Sequence, residues 1–124
     1  MTDYPAKFSL LPELFRRHPV LTGRAKRARI TMLLCAGAAR CLLILRDGTL
    51  RVEKADGPMD CWDIALRGDA TVWDDHWLKL PPPDAADIFG MRRHGRMEME
   101  GNFLPLMQHL QLVKDILALP RTEA

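Results

Sequence analysis

Serine occurs once in this chain, at Ser9, which argues strongly against a serine-nucleophile hydrolase. No Gly-x-Ser-x-Gly elbow, phosphate-binding loop or dinucleotide fingerprint is present either. Cysteine is scarce and odd in number: Cys35, Cys41 and Cys61, with no CxxC spacing. Cys41 and Cys61 lie in strand-like apolar runs, where a free thiol behaves as a small buried hydrophobe. A catalytic thiol needs an electropositive, partly exposed setting, and the sequence does not announce one. No N-terminal apolar stretch resembles a signal peptide, and no apolar run is long enough to span a bilayer. A reducing, cytoplasmic setting without stable membrane insertion is the expectation.

What is present is ordinary for a soluble globular chain. The 124 residues, 48% apolar and 27% charged, predict one core and hence one domain over 1–124, with 1–8 as a loose N-terminal segment. The net charge of +2 is unevenly spread. Arg16, Arg17, Arg24, Lys26, Arg27 and Arg29 make the early chain basic, and a run of aspartates from Asp56 to Asp87 makes the middle acidic. The basic segment lacks interleaved aromatics and any nucleic-acid motif, so no nucleic-acid partner is expected. It reads as a solvated face that pairs with the acidic part of the same fold or of a second subunit.

Ser9 to Arg17 predicts a short helix capped by Ser9, with Leu10, Leu11, Leu14 and Phe15 on one stripe and Pro19 ending it. From Arg27 the period becomes two: Ala28, Ile30, Met32 and Leu34 alternate with Arg27, Arg29, Thr31 and Leu33. Gly37 falls in a turn, and Arg40 to Arg46 is apolar on both faces, as a central strand is. Asp47-Gly48 suits a two-residue type I′ hairpin, followed by a strand with Leu50 and Val52 on one face. Asp56-Gly57-Pro58 predicts the next turn, then a strand from Asp60 to Leu66 with Trp62, Ile64 and Leu66 together. Short links throughout predict an antiparallel meander.

The second half turns helical. Asp69 is placed to cap a helix running to about Leu80, with Trp73, Trp77 and Leu80 on one stripe before Pro81-Pro82-Pro83. Asp84 caps a shorter helix that carries Ile88, Phe89 and Met91. Arg96 to Glu100 alternates as a last strand with Met97 and Met99 on one face. A long helix from about Asn102 to Leu119 follows, with Phe103, Leu106, Met107, Leu110, Val113 and Leu117 on one stripe and Leu104, Leu112, Ile116 and Leu119 beside it. So apolar a helix needs cover on more than one side.

The order of elements resembles the sterol-carrier-protein type-2 domain family, particularly its short stand-alone members, from about Arg27 to Leu119. Four features carry the likeness: Asp47-Gly48, Trp73, the segment Gly95-Arg96-Met97-Glu98-Met99-Glu100-Gly101, and the apolar helix after it. Asn102 stands where that family's G-x-L-x-x-x-G-D pattern has aspartate, and asparagine caps a helix comparably well. The resemblance implies an α+β fold with a five-stranded, mainly antiparallel sheet and helices packed on one face. It also implies an apolar tunnel between sheet and helices for lipids, fatty acyl chains or sterols, and no catalysis. Some members of the family carry ligands and others serve as accessory domains beside enzymes.

Trp73, Trp77, Phe89, Met91, Met97, Met99, Phe103, Leu106, Met107 and Leu110 are the candidate lining of such a cavity. Methionine suits a remouldable apolar site. The same ten serve equally as dry core, and periodicity does not separate the two. Asp74-Asp75-His76 looks metal-like, but consecutive helical residues point about 100° apart, so neither metal nor cofactor is expected. His109 is a candidate polar contact for a ligand hydroxyl or carboxylate, or a partly buried surface residue. The expected function is a non-catalytic carrier of a hydrophobic small molecule. The alternative is a homodimeric or accessory module that docks on a partner enzyme. An enzyme would require His76, His94 or His109 to meet a carboxylate in a pocket.

Overall fold

Two tight turns build the first part of the fold. The computed structural model describes residues 5–55 and 61–123. Arg29–Ala36 (β1) and Ala39–Arg46 (β2) are joined through Gly37 and Ala38, with Ala36 opposite Ala39 and Gly37 at φ 65°. Asp47 and Gly48 then link β2 to Thr49–Lys54 (β3) at φ 49° and 84°, the two positive angles that a type I′ turn requires. Arg29 donates to both Asp47 carboxylate oxygens, at 3.2 and 2.9 Å, which ties the turn to β1.

The expected meander stops there. Ile64–Gly68 (β4) pairs parallel with β1, Met32 opposite Ile64 and Ala36 opposite Gly68, and Met97–Gly101 (β5) pairs antiparallel with β4. The sheet order is β3-β2-β1-β4-β5, a mixed and mostly antiparallel sheet. A parallel neighbour cannot be reached by a tight hairpin, so short links between strands misled the meander expectation here. The turn expected at Asp56-Gly57-Pro58 lies outside the described residues. β1 is the middle strand, buried on both faces from Met32 to Ala36, and β2 lies inside the sheet beside it.

β4 begins at Ile64 because Asp63 holds its own place. The Asp63 N–H donates to the Thr31 carbonyl at 2.8 Å, and its carboxylate accepts from the Thr31 N–H at 2.8 Å. Trp62 therefore does not share the face of Ile64 and Leu66. It packs on the opposite face with Leu33, Cys35, Leu42 and Ala65, with Arg67 over its ring.

The helices cover one face only. Ala6–Arg16 (α1), Pro19–Arg24 (α2), Ala70–His76 (α3), Ile88–Arg93 (α4), Phe103–Gln108 (α5) and Leu110–Leu117 (α6) send their buried side chains into one cluster with Ile30, Met32, Leu34, Leu43, Ile64 and Leu66. Several ends differ from the sequence expectation. α1 starts at Ala6, so residues 6–8 of the segment expected to be loose are helical and Ser9 is not the cap. Phe8 replaces Leu10 on its buried stripe. Pro19 both ends the α1 region and opens α2, where its missing N–H costs nothing, and His18 caps α2 by accepting the Leu21 N–H.

Asp69 caps α3 as expected, accepting from the Val72 N–H at 2.8 Å. That helix stops at His76, and Leu80, 89% exposed, leaves the Trp73–Trp77 stripe. A proline disfavours helical geometry in the residue before it, and Pro81 acts on Leu80 in this way. Asp87, not Asp84, caps α4, while Asp84 joins Asp75 in pairing with Arg96 at 3.1 and 2.9 Å. Asn102 caps α5, but the expected long helix breaks at His109 (φ −124°, ψ 28°) into α5 and α6. The His109 N–H is shared between the Pro105 and Leu106 carbonyls at 3.2 Å each, a tightened helix end.

Candidate functional site

Nine of the ten candidate lining residues meet on the main core. Trp73, Trp77, Met91, Met97 and Leu106 are fully buried there, and Phe89, Met99, Phe103 and Leu110 are half-buried against it. Met107 points outward and is 53% exposed. The two tryptophans are packed and pinned. Each meets the Phe8 ring edge-to-face, at 5.0 and 5.1 Å between centroids. The Trp73 indole N–H donates to the Cys35 carbonyl, and that of Trp77 to the Leu117 carbonyl, both at 2.9 Å. An indole N–H needs such a partner when buried, which fixes both ring orientations.

A second site was not visible as one in the sequence. A cleft of about 490 Å³ lies between α1, α2 and the C-terminal end of the chain, lined by Leu14, Arg17, His18, Leu21, Arg24, Asp115, Ala118, Leu119 and Arg121. None of the ten candidates lines it or the cleft of about 350 Å³ elsewhere, and Met97 alone of them lines a third, open cleft of about 250 Å³. Arg24 closes one side by pairing with Asp115 at 2.7 Å. Partial burial pushes the Asp115 carboxyl up, but hydrogen bonds from Arg24 and Gln111 and the nearby positive charge hold it below the usual carboxylate range. Arg121 donates to the His76 carbonyl at 3.0 and 2.8 Å and to the Ala86 carbonyl at 3.1 Å. Among the described residues it has no carboxylate partner, and burial lowers its pKa.

The cleft was hidden because Leu14 read as part of a helix's apolar stripe and Arg17 and Arg24 as a solvated face. The expected pairing of that basic segment exists with other acids: Glu13 for Arg16 and Arg17, Asp47 for Arg29, Asp115 for Arg24.

The histidines and thiols are set apart from one another. Among the described residues no histidine is hydrogen-bonded to a carboxylate, and no group of three or more metal-ligating side chains converges. Asp74 is exposed, Asp75 pairs with Arg96 and His76 turns into the core, so the three diverge. His109 is half-buried at the helix break. Cys41 is buried with its thiol pushed up to about 12, mainly by burial. Cys61, expected buried, is exposed, and Cys35 is the second buried thiol.

His76 is the only buried polar side chain among the described residues. Its Nδ1 lies 2.9 Å from the Ala85 carbonyl and 3.2 Å from the Arg121 guanidinium, and among the described residues Nε2 has no partner. Burial, aided by Arg121, pushes its pKa below the usual histidine value against the favourable Ala85 bond. Between the lowered folded value and the unfolded value of about 6.5, the unfolded chain binds more protons. Stability should therefore fall as the pH drops through about 6.5, by at most about 1.4 kcal/mol per pH unit. Urea midpoints measured from pH 8 to pH 5 should show this slope, and His76→Gln should flatten it. An unchanged slope in the variant assigns the effect to other groups.

No protein-family model and no curated protein matches the chain. Solved structures do. The chain is similar to a crystal structure of sterol carrier protein 2, with a TM-score of 0.72 and 13% identity, covering 98% of each chain. It is similar to the UbiJ-SCP2 ubiquinone synthesis protein at 0.62 and 16%, covering 92% of this chain and 87% of that one. It also resembles part of an inverting sec-alkylsulfatase from Pseudomonas sp. at 0.55 and 17%, where it covers 73% of this chain and only 14% of the sulfatase. The α+β fold, with its five-stranded and mostly antiparallel sheet, is that of sterol carrier protein 2 domains.

Proposed function

We propose that this protein, as a single domain in the cytoplasm, binds or carries a hydrophobic ligand (a lipid, fatty acyl chain or sterol-like molecule) and catalyses no reaction. The likeness to sterol carrier protein 2 over the whole length of both chains carries this reading. The gathering of Trp73, Trp77, Phe89, Met91, Met97, Met99, Phe103, Leu106 and Leu110 on one cluster supports a ligand between sheet and helices. Those residues are close-packed, so a ligand there must part α4 from β5 and α5 from β1, and the methionines are the side chains most able to remould around it. Among the described residues no helix is long and apolar enough to cross a membrane.

Native mass spectrometry of the purified protein tests the reading. A copurifying acyl or steroid mass, or its uptake on mixing, is the expected result. Protein that arrives empty and ignores both fatty acids and steroids sinks it.

The second reading is a homodimeric or accessory module beside an enzyme, favoured by the likeness to part of the alkylsulfatase. Leu104 and Met107 on α5 are exposed and would form the contact. A dimer seen by light scattering that dissociates in Leu104→Glu supports it, and a monomer at all concentrations removes the homodimer.

A further inference from the structure

We propose that the cleft between α1, α2 and α6 holds the anionic head of a single-chain amphiphile, with its apolar tail along Leu14, Leu21 and Leu119. The proposal rests on the reading of the protein as a binder of apolar ligands and assigns the anionic, single-chain class of them to a place apart from the Trp–Met cluster.

The cleft has an apolar floor and a cationic rim. Leu14, Leu21 and Leu119 are buried at its base. Around it stand three guanidinium groups, Arg17, Arg24 and Arg121, and among the described lining residues Asp115 supplies the one carboxylate. Only Arg24 is neutralised by that carboxylate. Arg121 is held by carbonyl dipoles, which solvate a charge without cancelling it. Arg17 leans on Glu13 at 3.3 Å across exposed surface, a pair of little strength that an incoming anion can outbid.

His18 adds a ring N–H donor. Its Nδ1 accepts the Leu21 N–H at 3.3 Å, so in the neutral ring the proton is on Nε2, the nitrogen left for a ligand. A carboxylate or phosphate head suits Arg17, His18 and Arg121 together, whereas a sterol hydroxyl leaves the positive charges unbalanced. The volume of about 490 Å³ lies within the range of roughly 300–1,000 Å³ usual for small-molecule sites, which favours one chain over a two-tailed lipid.

The test titrates ¹⁵N-labelled protein with sodium decanoate and, separately, with decan-1-ol. The two share a chain and differ in head charge. Decanoate should shift the amides of Leu21, Ala118 and Leu119 and bind about tenfold tighter than the alcohol, the worth of one charge-assisted hydrogen bond. Arg17→Gln should remove most of that difference while leaving the alcohol unaffected. Arg27→Gln, an exposed arginine outside the cleft, should change neither.

Equal binding of the two ligands, or shifts confined to Trp73, Met97 and Leu106, overturns the inference and leaves the apolar-ligand reading standing. No binding of either overturns both. Attachment to phosphatidylcholine vesicles doped with phosphatidylglycerol, without monomer binding, also overturns it, because the anion would then be a bilayer headgroup.

Discussion

Trp77→Ala should lower the stability of the fold by about 3–5 kcal/mol, the cost of emptying a large buried site. The indole is almost wholly buried, edge-on to Phe8 and 5.8 Å from the Trp73 ring. It also answers a need of α6. The last carbonyls of a helix have no partner within it, and Leu117, the final residue of α6, finds one in the Trp77 N–H at 2.9 Å. Trp77→Phe separates the two contributions, since it keeps an aromatic ring and removes the donor. It should cost about 1–3 kcal/mol, the penalty of a stranded buried carbonyl. Urea midpoints give the totals, and faster amide exchange in the 110–118 segment locates the loss. A phenylalanine variant as stable as the parent would assign all of the effect to packing.

Gly101→Ala should be nearly as severe. Gly101 sits at φ 123°, outside the regions open to residues with a Cβ. An added Cβ would stand 2.5 Å from the Asp63 carbonyl oxygen and 3.1 Å from the Ile64 Cα. Both are backbone atoms, one just before β4 and one at its first residue, and cannot swing away. The same carbonyl accepts the Asn102 N–H at 2.7 Å, so relieving the overlap breaks the entry to α5. Strain and overpacking together give about 2–6 kcal/mol. Gly95→Ala is the matched control: φ is 75°, but nothing lies within 4 Å of its added Cβ. It should cost only about 1–2 kcal/mol, the price of the left-handed region. Equal losses at the two positions would show that the close approach contributes nothing.

Which residues lie inside was largely legible from periodicity, while strand neighbours were not. Alternation placed Ile30, Met32 and Leu34 on one face and Met97 and Met99 on another strand's inner face, as found. Asp-Gly named the one turn whose chemistry admits few alternatives. Pairing is a different matter, because a strand's hydrophobic pattern records which side is covered and not who stands beside it. Hence the parallel β1–β4 joint went unseen. Trp62 was misplaced because Asp63 interrupts the two-residue period. The break at His109 falls in a smooth apolar pattern, and only Pro105 hinted at it. Nine residues of the candidate lining fall on one core cluster, and apolar character is common to a packed core and a pocket. The cleft rim is made of arginines from segments far apart in the chain, and only folding brings them together.

The position of β1 has a consequence during synthesis. β1, β2 and β3 are consecutive and can close as hairpins as soon as they emerge. β4 comes later, with Leu66 opposite Leu34 and 32 residues behind it. At about 5–20 residues per second, one side of β1 stands unpaired for roughly 2–6 s on the ribosome. Its exposed edge is Met32 to Ala36, apolar on both faces and without a charge to repel another chain. Yield from expression should therefore respond to translation speed and chaperone supply through this edge, even when the finished fold is stable.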